Sequence, residues 1–395
     1  MNDGESPPTL PRVAWTRRDD LAALVAALGA GQVRWVGGAV RDTLLGNEVK
    51  DIDAATPLEP HDVIARLGKA GIRTVPTGID HGTVTAILPD GPVEVTTLRR
   101  DVSTDGRRAT VAFATGWRED AARRDFTINA LYAHPDTLEI DDWFDGLADL
   151  DARRVRFIGD ARQRIREDHL RILRYYRFQA RFGSALDAEA EEACAELAPT
   201  LKGLSRERVA MELLTLLALP DPSPTVARME ARGVLPVILP EAGAAGVTAL
   251  EHLVGEEKRQ STAPDALRRL AALLPADARA VEQVAARLRL SAAQRKRLVT
   301  TAARDGTPGD PRALAYRLGR EEAVDRLLLA GASVAPLAGW DIPVFPIKGG
   351  AIVARGVSAG PEVARILREV EDRWVAEGFP GTERATTLLD ERLAS

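Results

Sequence analysis

VGGAVRD at residues 36–42, followed by DID at residues 51–53, is the stretch of sequence that decides the fold. The preceding VRWV predicts a short strand and the following AVRDTLLG a helical turn, so the glycine pair lies where a strand passes into a helix. Backbone without Cβ atoms, at the amino end of a helix, can come close to a phosphate group. Taken alone, however, a glycine pair is more often an ordinary turn.

The aspartates of DID add a second feature to this region. In a strand, residues i and i+2 point to the same face, which predicts Asp51 and Asp53 on one face, about 7 Å apart along the chain. Such carboxylates suit Mg²⁺ shared with substrate phosphates. TVTAILPDGPVEVTTL, at residues 83–98, predicts a hairpin, and Glu94 is a candidate third carboxylate if its strand lies beside the first. The competing interpretation is a solvated strand face.

The rest of the chain divides by hydrophobic periodicity. Strand and helix patterns mix over the first third, and helical periodicity dominates from about residue 160. With 395 residues, a prior of about 150 residues per domain predicts two to four domains. These observations indicate an α+β protein whose sheet lies in the first third.

Composition and charge exclude several classes of function. A net charge of −5 argues against a protein that coats nucleic acid without specificity, although arginines cluster at residues 99–108 and 153–181. The single cysteine, Cys194, excludes an internal disulfide, a CxxC zinc site and an iron-sulfur cluster, and we expect it in the core. The first residues indicate no secretion signal, and no apolar stretch reaches the roughly 20 residues that cross a bilayer. We therefore expect a cytoplasmic protein without a membrane segment.

A second motif, RRDFTINA at residues 123–130, places two guanidinium groups beside a carboxylate and an amide. Arginine suits triphosphate oxygens through paired hydrogen bonds, and aspartate can accept one from a ribose hydroxyl. On its own, such a run more often means surface ion pairs before a helix.

A third motif, EDHLRILRYYRF at residues 167–178, predicts one continuous helix with Asp168, Arg171 and Tyr175 on a face away from the apolar stripe. The usual meaning of that spacing is an ion pair on a solvated face. A sharper interpretation is base selection. Cytosine and adenine both present an amino donor beside a ring-nitrogen acceptor, which one carboxylate and one guanidinium can pair with, whereas guanine and uracil present the opposite order.

In this order and spacing, the three motifs resemble the class II tRNA nucleotidyltransferases, the CCA-adding enzymes and their bacterial poly(A) polymerase relatives. VGGAVRDTLLG with DID resembles the family's metal and phosphate motif, RRDFTINA its ribose motif, and EDHLRILRYYRF its base-selecting motif. Ser205-Arg206-Glu207-Arg208 with Glu212 resembles the helical motif that supports the base-selecting helix. The resemblance covers roughly residues 33–215.

The resemblance implies catalytic, metal and nucleotide-binding residues. Asp51 and Asp53 would be the metal ligands and, with Glu94 as a less certain third carboxylate, the catalytic acids. The residues implied in nucleotide binding are Gly37, Gly38, Arg41, Arg124, Asp125, Asn129, Glu167, Asp168, Arg171, Arg174 and Arg177.

The resemblance also implies which part of the nucleotide each of these residues contacts. Gly38, Arg41 and Arg124 would hold the triphosphate, and Asp125 would contact the ribose 2′-OH. Asp168 and Arg171 would select the base, with Glu167 orienting Arg171. Arg174 and Arg177 would complete the pocket.

The implied fold is a nucleotidyltransferase head of the polymerase β type with a mixed β-sheet over residues 1–150. A helical neck with the base-selecting motif would follow over 151–240, and a helical body and tail that bind tRNA over 241–395. The implied reaction adds CCA to the tRNA 3′ end from CTP and ATP, with Mg²⁺ as cofactor and release of pyrophosphate. Neither a membrane nor a protein partner is implied.

Alternatives within the family are an A-adding enzyme, a CC-adding enzyme and a poly(A) polymerase. Poly(A) polymerases carry a basic Arg-Arg-Phe run in the head strands, where this sequence has AILPDGPVEVTTL, which favours tRNA. Residues 99–120 are long enough to form the flexible loop that CC-adding enzymes lack, which favours complete CCA addition. A catalytically silent RNA-binding protein of the same fold is the alternative of another class.

One departure from the family pattern lies at the predicted junction of head and neck. Asp145 stands where the family commonly has the first of two glycines, in the sequence Phe144-Asp145-Gly146-Leu147. Because that segment acts as a hinge in the family, the difference bears on head movement rather than on the chemistry.

Overall fold

The computed structural model of the chain describes residues 7–104, 109–114, 116–303 and 309–394. Its contacts divide the chain into two compact units. The first unit comprises the residues up to Glu212 together with Ala231–Ile238, and the second comprises Leu213–Glu230 and the residues from Leu239 onward. The predicted domain limits at residues 150 and 240 are a different division of the chain and stay a prediction.

The first unit contains a mixed sheet and a separate hairpin. The strands in chain order are β1 (Arg34–Val36), β2 (Ile52–Thr56), β3 (Arg73–Gly78), β4 (Thr83–Leu88), β5 (Gly91–Thr97), β6 (Arg99–Thr104), β7 (Ala109–Phe113), β8 (Tyr132–Ala133) and β9 (Ile140–Asp141). Within the described residues, seven of them form one sheet in the order β3-β4-β5-β2-β1-β8-β9, and β6 pairs with β7 alone. Only β2 and β5 run parallel among these pairs. The predicted mixed sheet in the first third is confirmed.

The predicted β-hairpin is formed by β4 and β5. Its turn is followed by Gly91, the first residue of β5, whose φ of +121° favours glycine. The Asp20 carboxylate accepts a hydrogen bond from the Asp90 N–H and so fixes the turn from outside the hairpin. Alternate residues of β5 are buried, as the period-2 pattern predicts, whereas β4 buries three consecutive residues, Val84 to Ala86.

Helices connect strands of the first unit and make up nearly all the described regular structure after β9. In chain order they are α1 (Asp19–Leu28), α2 (Gly38–Leu44), α3 (Pro60–Lys69), α4 (Trp117–Ala122), α5 (Gly146–Asp151), α6 (Ala161–Glu167), α7 (Arg171–Phe182), α8 (Ala188–Leu197), α9 (Arg206–Leu217), α10 (Ser223–Ala231), α11 (Leu235–Ile238), α12 (Gly243–Arg259), α13 (Ala266–Leu273), α14 (Ala278–Arg287), α15 (Ala292–Ala302), α16 (Pro311–Leu318), α17 (Arg320–Leu329), α18 (Gly349–Val353), α19 (Pro361–Ala376) and α20 (Thr382–Ala394).

Four consecutive helices of the second unit, α13 to α16, begin at polar residues that cap them. Asp265, Asp277 and Asp310 each accept hydrogen bonds from backbone N–H groups in the first turn of α13, α14 and α16. Ser291 and Gln294 form a capping box at the start of α15. Local sequence therefore specifies where these helices start, and the predicted helical second half is confirmed.

Aromatic side chains join the RRDFTINA segment to α7. The ring of Phe126 lies 5.2 Å from that of Phe178 and 6.4 Å from that of Tyr175, between ring centroids. Phe157 stacks on Tyr175 at 5.9 Å. Burying such rings provides much of the packing energy of a small core, so the second and third motifs are held side by side.

The prediction of one continuous helix over residues 167–178 is wrong. α6 ends at Glu167, Asp168 is extended, and α7 begins at Arg171. The Asp168 carboxylate accepts a hydrogen bond from the Leu170 N–H, and this local bond competes with helix continuation. Tyr175, predicted on a face away from the apolar stripe, is fully buried, because the buried side of α7 is wider than that stripe and includes Tyr175 and Phe178 as well.

Two smaller expectations can be compared with the described residues. Cys194 is a buried free cysteine in α8, as predicted, and burial raises the pKa of its thiol. Among the helices of the described ranges, none combines the length and apolar character needed to cross a membrane.

Candidate active site

The glycine turn after β1 shapes one side of the site. Gly37 has φ +64°, a conformation that favours glycine, and α2 begins at the next residue. A Cβ atom on Gly37 would lie 3.3 Å from Nη1 of Arg124. The first two motifs therefore meet at this turn, and glycine leaves room for the guanidinium group.

The carboxylates lie on adjacent parallel strands. Asp53 of β2 is in direct register with Glu94 of β5, so the condition for a third carboxylate, that its strand lies beside the first, is confirmed. Asp51 precedes β2 rather than lying within it. The strand argument for a face shared by Asp51 and Asp53 thus applies to Asp53 alone, and the shared face stays a prediction.

The electrostatics of these acids fit a cation. Burial raises the pKa of Asp53, as do Glu94 and Asp51, while Arg124 lowers it. Across the described parts of the chain, no group of three His, Cys, Asp or Glu side chains is arranged to hold a metal ion by itself. Mg²⁺ often takes one or two carboxylates and completes its shell with water and substrate phosphates, so this donor set fits a metal that arrives with a nucleotide.

Two buried side chains fix Arg124, and its Nη1 also donates to the Asn129 carbonyl oxygen at 3.4 Å. Its Nε donates to the Tyr132 hydroxyl at 2.8 Å, and its Nη2 donates to Asp120 at 3.3 Å. The Tyr132 ring lies 5.1 Å from the centre of the guanidinium. Burial lowers the pKa of Arg124, but Tyr132 and Asp120 raise it above its usual range. The group stays cationic, as a phosphate contact requires.

Sequence reasoning missed Asp120 and Tyr132. Asp120 is 1% exposed, and burial raises its pKa, but Arg124 and Arg123 together with the Tyr132 hydroxyl lower it to about 2. The signal that could have found it is its position on α4, three residues before Arg123 and four before Arg124, the spacing of helical ion pairs.

Asp125 connects the ribose motif to α7. One of its oxygens accepts from Nδ2 of Asn129 at 2.9 Å, and the other accepts from Nε of Arg174 at 2.8 Å. Burial raises the pKa of Asp125, but Arg174 and Asn129 lower it by more. The pKa therefore lies below its ordinary value, and the carboxylate is ionised. Oδ1 also accepts from the Phe126 N–H at 2.9 Å, and Oδ2 lies 2.6 Å from Nη2 of Arg174. A hydrogen bond from a ribose hydroxyl would share an oxygen with these donors, and that contact stays a prediction.

Arg41 is buried, with 4% of its surface exposed. Its Nη1 donates to Asn129 at 2.5 Å, and its Nε and Nη2 donate to the two oxygens of Asp42. Its guanidinium also lies 4.5 Å from the Phe182 ring. In this arrangement Arg41 supports Asn129, and its contact with a triphosphate stays a prediction.

The base-selecting segment surrounds the helix break. Nη1 of Arg171 donates to Glu167 at 2.7 Å and to the carbonyl oxygen of Arg164 at 2.9 Å, and Nη2 donates to that of Arg123. Asp168 does not pair with the Arg171 side chain. Its second oxygen instead accepts from Arg208 at 2.8 Å. The alternative of an ion pair between Asp168 and Arg171 is therefore wrong.

Glu212 interacts with two arginines of α7, Arg174 and Arg177. Nε of Arg177 donates to it at 2.6 Å, and Nη1 of Arg174 lies 3.7 Å from its other oxygen. The Arg177 guanidinium also lies 4.6 Å from the Phe178 ring. Arg174 and, through Glu212, Arg177 are thus connected to Asp125, which joins the ribose motif to α7.

The segment that departs from the family pattern is held by Asp142. Its carboxylate accepts hydrogen bonds from the N–H groups of Phe144, Gly146 and Leu147. Asp145 adopts φ +60°, the left-handed conformation that glycine adopts most easily. Gly146 leaves no room for a Cβ, which would lie 2.4 Å from the Thr127 carbonyl oxygen.

A sheet with paired acids, a glycine turn, a fixed arginine and a helical remainder defines a nucleotidyltransferase with a polymerase-type head. Residues 33–156 match the family described as the Poly A polymerase head domain, and residues 184–245 match the one described as a probable RNA and SrmB-binding site of polymerase A. The mitochondrial CCA tRNA nucleotidyltransferase 1 of Mus musculus is 34% identical over 88% of this chain and 84% of its own length. The chain belongs to this family of enzymes, the CCA tRNA nucleotidyltransferases.

Other relatives agree with this assignment. The CCA-adding enzyme of Streptococcus pneumoniae is 44% identical over 47% of this chain and 46% of its own length. The structure of the Bacillus stearothermophilus CCA-adding enzyme in complex with CTP has a TM-score of 0.78 at 26% identity, covering 95% of this chain and 98% of that one. A Thermotoga maritima CCA-adding enzyme, at 20% identity and a TM-score of 0.69, shares the fold.

Proposed function

We propose that this chain adds C, C and A to the 3′ end of tRNA, using CTP and ATP and releasing pyrophosphate. The observation that carries the proposal is the continuous network from Arg124 through Asn129 and Asp125 to Arg174. It joins the end of the site that suits phosphates to the segment that suits a base. A nucleotide bound along it presents its α-phosphorus near Asp53.

In this proposal Asp51 and Asp53 hold Mg²⁺, with Glu94 as a third carboxylate nearby. When bound, the metal lowers the pKa of the tRNA 3′-hydroxyl and neutralises charge on the phosphate oxygens. The carboxylates act as ligands and form no covalent bond. The oxygen of the 3′-hydroxyl bonds to the α-phosphorus as the bond to pyrophosphate breaks.

The remaining residues bind and orient the nucleotide. Arg124 contacts the triphosphate through the guanidinium face that Tyr132 and Asp120 leave open. Asp125 accepts from the ribose 2′-OH, which distinguishes a ribonucleotide from a deoxyribonucleotide. Each oxygen of Asp168 accepts one protein hydrogen bond and retains a lone pair for the amino group of cytosine or adenine.

Arg171 supplies the other half of base selection. Its contacts with Glu167 and two carbonyl oxygens hold the guanidinium rigidly, so that it can donate to a ring nitrogen with little loss of entropy. Guanine and uracil would instead present an N–H donor to the Arg171 guanidinium, which cannot accept a hydrogen bond. The same pair of side chains therefore accepts both nucleotides that the reaction needs.

The tRNA partner requires contacts with its backbone rather than with its sequence. Arginine and lysine side chains of the helical second unit can supply such phosphate contacts.

The mouse and human relatives are named mitochondrial, whereas we propose a cytoplasmic location for this chain from its sequence. Fractionation of the source cells with an antibody against the chain would decide the location.

The deciding experiment uses purified protein, Mg²⁺, labelled CTP or ATP, and three transcripts of one tRNA. One transcript lacks the three terminal nucleotides, one ends in CC, and one is complete. We expect two C on the first, one A on the second and none on the third. Activity on only one incomplete transcript would indicate a CC-adding or A-adding enzyme, and a long A tail a poly(A) polymerase. Binding without incorporation would indicate a silent RNA-binding protein.

A further inference from the structure

Asp120 of α4 is a buried carboxylate with hydrogen bonds to two functional elements. Its Oδ2 accepts from the Tyr132 hydroxyl at 2.5 Å and from Nη2 of Arg124 at 3.3 Å. Its Oδ1 accepts from Nε of Arg123 at 2.8 Å and from the backbone N–H of Arg99 at 3.0 Å. Arg99 is the first residue of β6, so one carboxylate joins the phosphate-binding arginine to the base of the β6–β7 hairpin.

The three groups around Asp120 form a closed arrangement. Tyr132 donates to Asp120 and accepts from Nε of Arg124, so its hydroxyl lies between the two charged groups. Removing the carboxylate would leave buried donors without their acceptor, a cost that shifts neighbouring side chains. Nη1 of Arg124 also donates to the Asn129 carbonyl oxygen, but at a longer 3.4 Å, so the direction of the guanidinium toward Gly37 and Asp53 depends mainly on Asp120 and Tyr132.

We propose that Asp120, together with Tyr132, is a positioning residue that aims Arg124 at the nucleotide triphosphate and fastens the β6–β7 hairpin to it. This inference rests on the proposed function. It makes two statements: phosphate affinity depends on Asp120 through Arg124, and the first residue of the hairpin responds when the triphosphate binds.

The first test is the affinity for CTP and for cytidine in Asp120→Asn. Asparagine keeps an oxygen for Arg99 but turns an amide toward Arg124, so we expect CTP to bind about 10-fold more weakly. Cytidine affinity should stay unchanged, because cytidine has no phosphate. In an Arg124→Ala background, Asp120→Asn should weaken CTP binding by less than about 2-fold, since the two residues act as one unit.

A matched control is Asp325→Asn in the second unit. Asp325 is also fully buried and accepts from Arg268 and Arg297 at 2.8 Å. Its loss should lower the melting temperature and leave CTP affinity unchanged. A folded Asp120→Asn variant with the CTP affinity of the wild type would overturn the proposal.

Tyr132→Phe keeps the inference testable if Asp120→Asn does not fold. It preserves the ring beside Arg124 and removes the bridging hydroxyl. We expect CTP to bind several-fold more weakly, with cytidine unaffected. Equal loss for both ligands would indicate general damage and would contradict the positioning role.

Hydrogen exchange tests the connection to the hairpin. The amide of Arg99 should exchange faster in Asp120→Ala than in the wild type, and CTP should slow its exchange in the wild type. An amide that does not respond to CTP overturns the connection. If the wild type neither binds CTP nor incorporates it, the proposed function itself fails, whereas incorporation by the wild type with no effect of Asp120 rejects only this inference.

Discussion

Two Arg-Arg pairs, one in each unit, show how similar sequences can serve different purposes. Arg123 and Arg124 follow a buried aspartate on α4, and their side chains are about one-fifth exposed. Arg268 and Arg269 lie in α13 at 6% and 1% exposure. Both pairs are bound by buried carboxylates. They differ in whether the guanidinium keeps an open face.

The α13 pair is saturated by the protein. Arg269 donates to Glu257 at 2.8 Å and to the carbonyl oxygens of Leu217 and Pro220. Arg268 bridges Glu257 and Asp325. Because acceptors of the protein itself occupy both guanidinium groups, these two arginines hold helices together. Arg124 donates to Tyr132, Asp120 and the Asn129 carbonyl oxygen, yet about 20% of its side chain stays exposed, which is the arrangement expected of a binding residue. Charge clusters in a sequence therefore indicate function only once their partners are known.

The largest effect should come from the acids beside Arg124. In Asp53→Ala or Asp51→Ala, incorporation of both CTP and ATP should fall by about three orders of magnitude or more, because metal stabilisation of transition-state charge is lost. tRNA affinity should stay within a few-fold, since most phosphate contacts are remote. Both rates and a filter-binding isotherm should be measured on one preparation. Loss of only one nucleotide activity would contradict the prediction.

Alanine substitution within each pair tests the comparison directly. Arg124→Ala should lower kcat/KM for CTP and ATP by about 10- to 100-fold, because a charge-assisted bond to phosphate is lost. It should lower the melting temperature less than Arg269→Ala does, because Asp120 keeps Arg123 and Tyr132 as partners. Arg269→Ala should lower the unfolding free energy by about 3–5 kcal/mol, since the buried Glu257 loses one of its two arginine partners and the Leu217 and Pro220 carbonyl oxygens lose this donor. Kinetics and thermal unfolding of both variants provide the measurement. If Arg124→Ala mainly lowered stability, the distinction between the pairs would fail.

Sequence pattern predicted the features that depend on neighbouring residues. The hairpin of β4 and β5 follows from an Asp-Gly turn between alternating strands, and the start of α2 follows from the glycine pair. The register of Asp53 with Glu94 was open, because pairing between strands depends on the whole sheet. Within these limits, residue types and spacing indicated both the fold class and the motifs of the site.

Long-range and competing local interactions explain what the sequence did not show. Asp120 accepts a hydrogen bond from the N–H of Arg99, which lies 21 positions earlier in the chain, and hydrophobic periodicity does not predict such a contact. The break at Asp168 lies inside a pattern that is helical on both sides, and one side-chain bond to Leu170 decides it. The hydrogen bond from Arg208 to Asp168 joins residues 40 positions apart, and local sequence patterns do not predict it either.

Arg171 extends the comparison to a third arginine with fixed geometry. Arg171→Ala should weaken selection of CTP and ATP over UTP and GTP by roughly 10- to 150-fold, the value of a buried bond to a charged group. Arg166→Ala, an exposed residue of α6, is the control and should leave the ratios unchanged. The measurement is kcat/KM for all four nucleotides together with thermal unfolding. Unchanged ratios with lower stability would make Arg171 a structural residue.

The smallest expected effect is the dependence of stability on the charge of Asp120. Burial raises the pKa of this carboxyl, but Arg124 and Arg123 with the Tyr132 hydroxyl lower it to about 2, against an ordinary value of 3.8. Because the folded state has the lower pKa, the contribution to stability is present above about pH 4 and is lost as the pH falls through 2. Its full size is about 2 kcal/mol.

Unfolding free energies of the wild type and Asp120→Asn between pH 7 and pH 3 measure this contribution. Asparagine cannot be protonated in this range, so the difference between the two proteins should be constant near neutrality. It should shrink by about 1 kcal/mol by pH 3, roughly half of the total, because protonation of Asp120 in the unfolded chain precedes protonation in the folded protein. A difference that stays constant to pH 3 would mean that Asp120 is not held ionised by Arg124, and that the first pair is no more fixed than a surface ion pair.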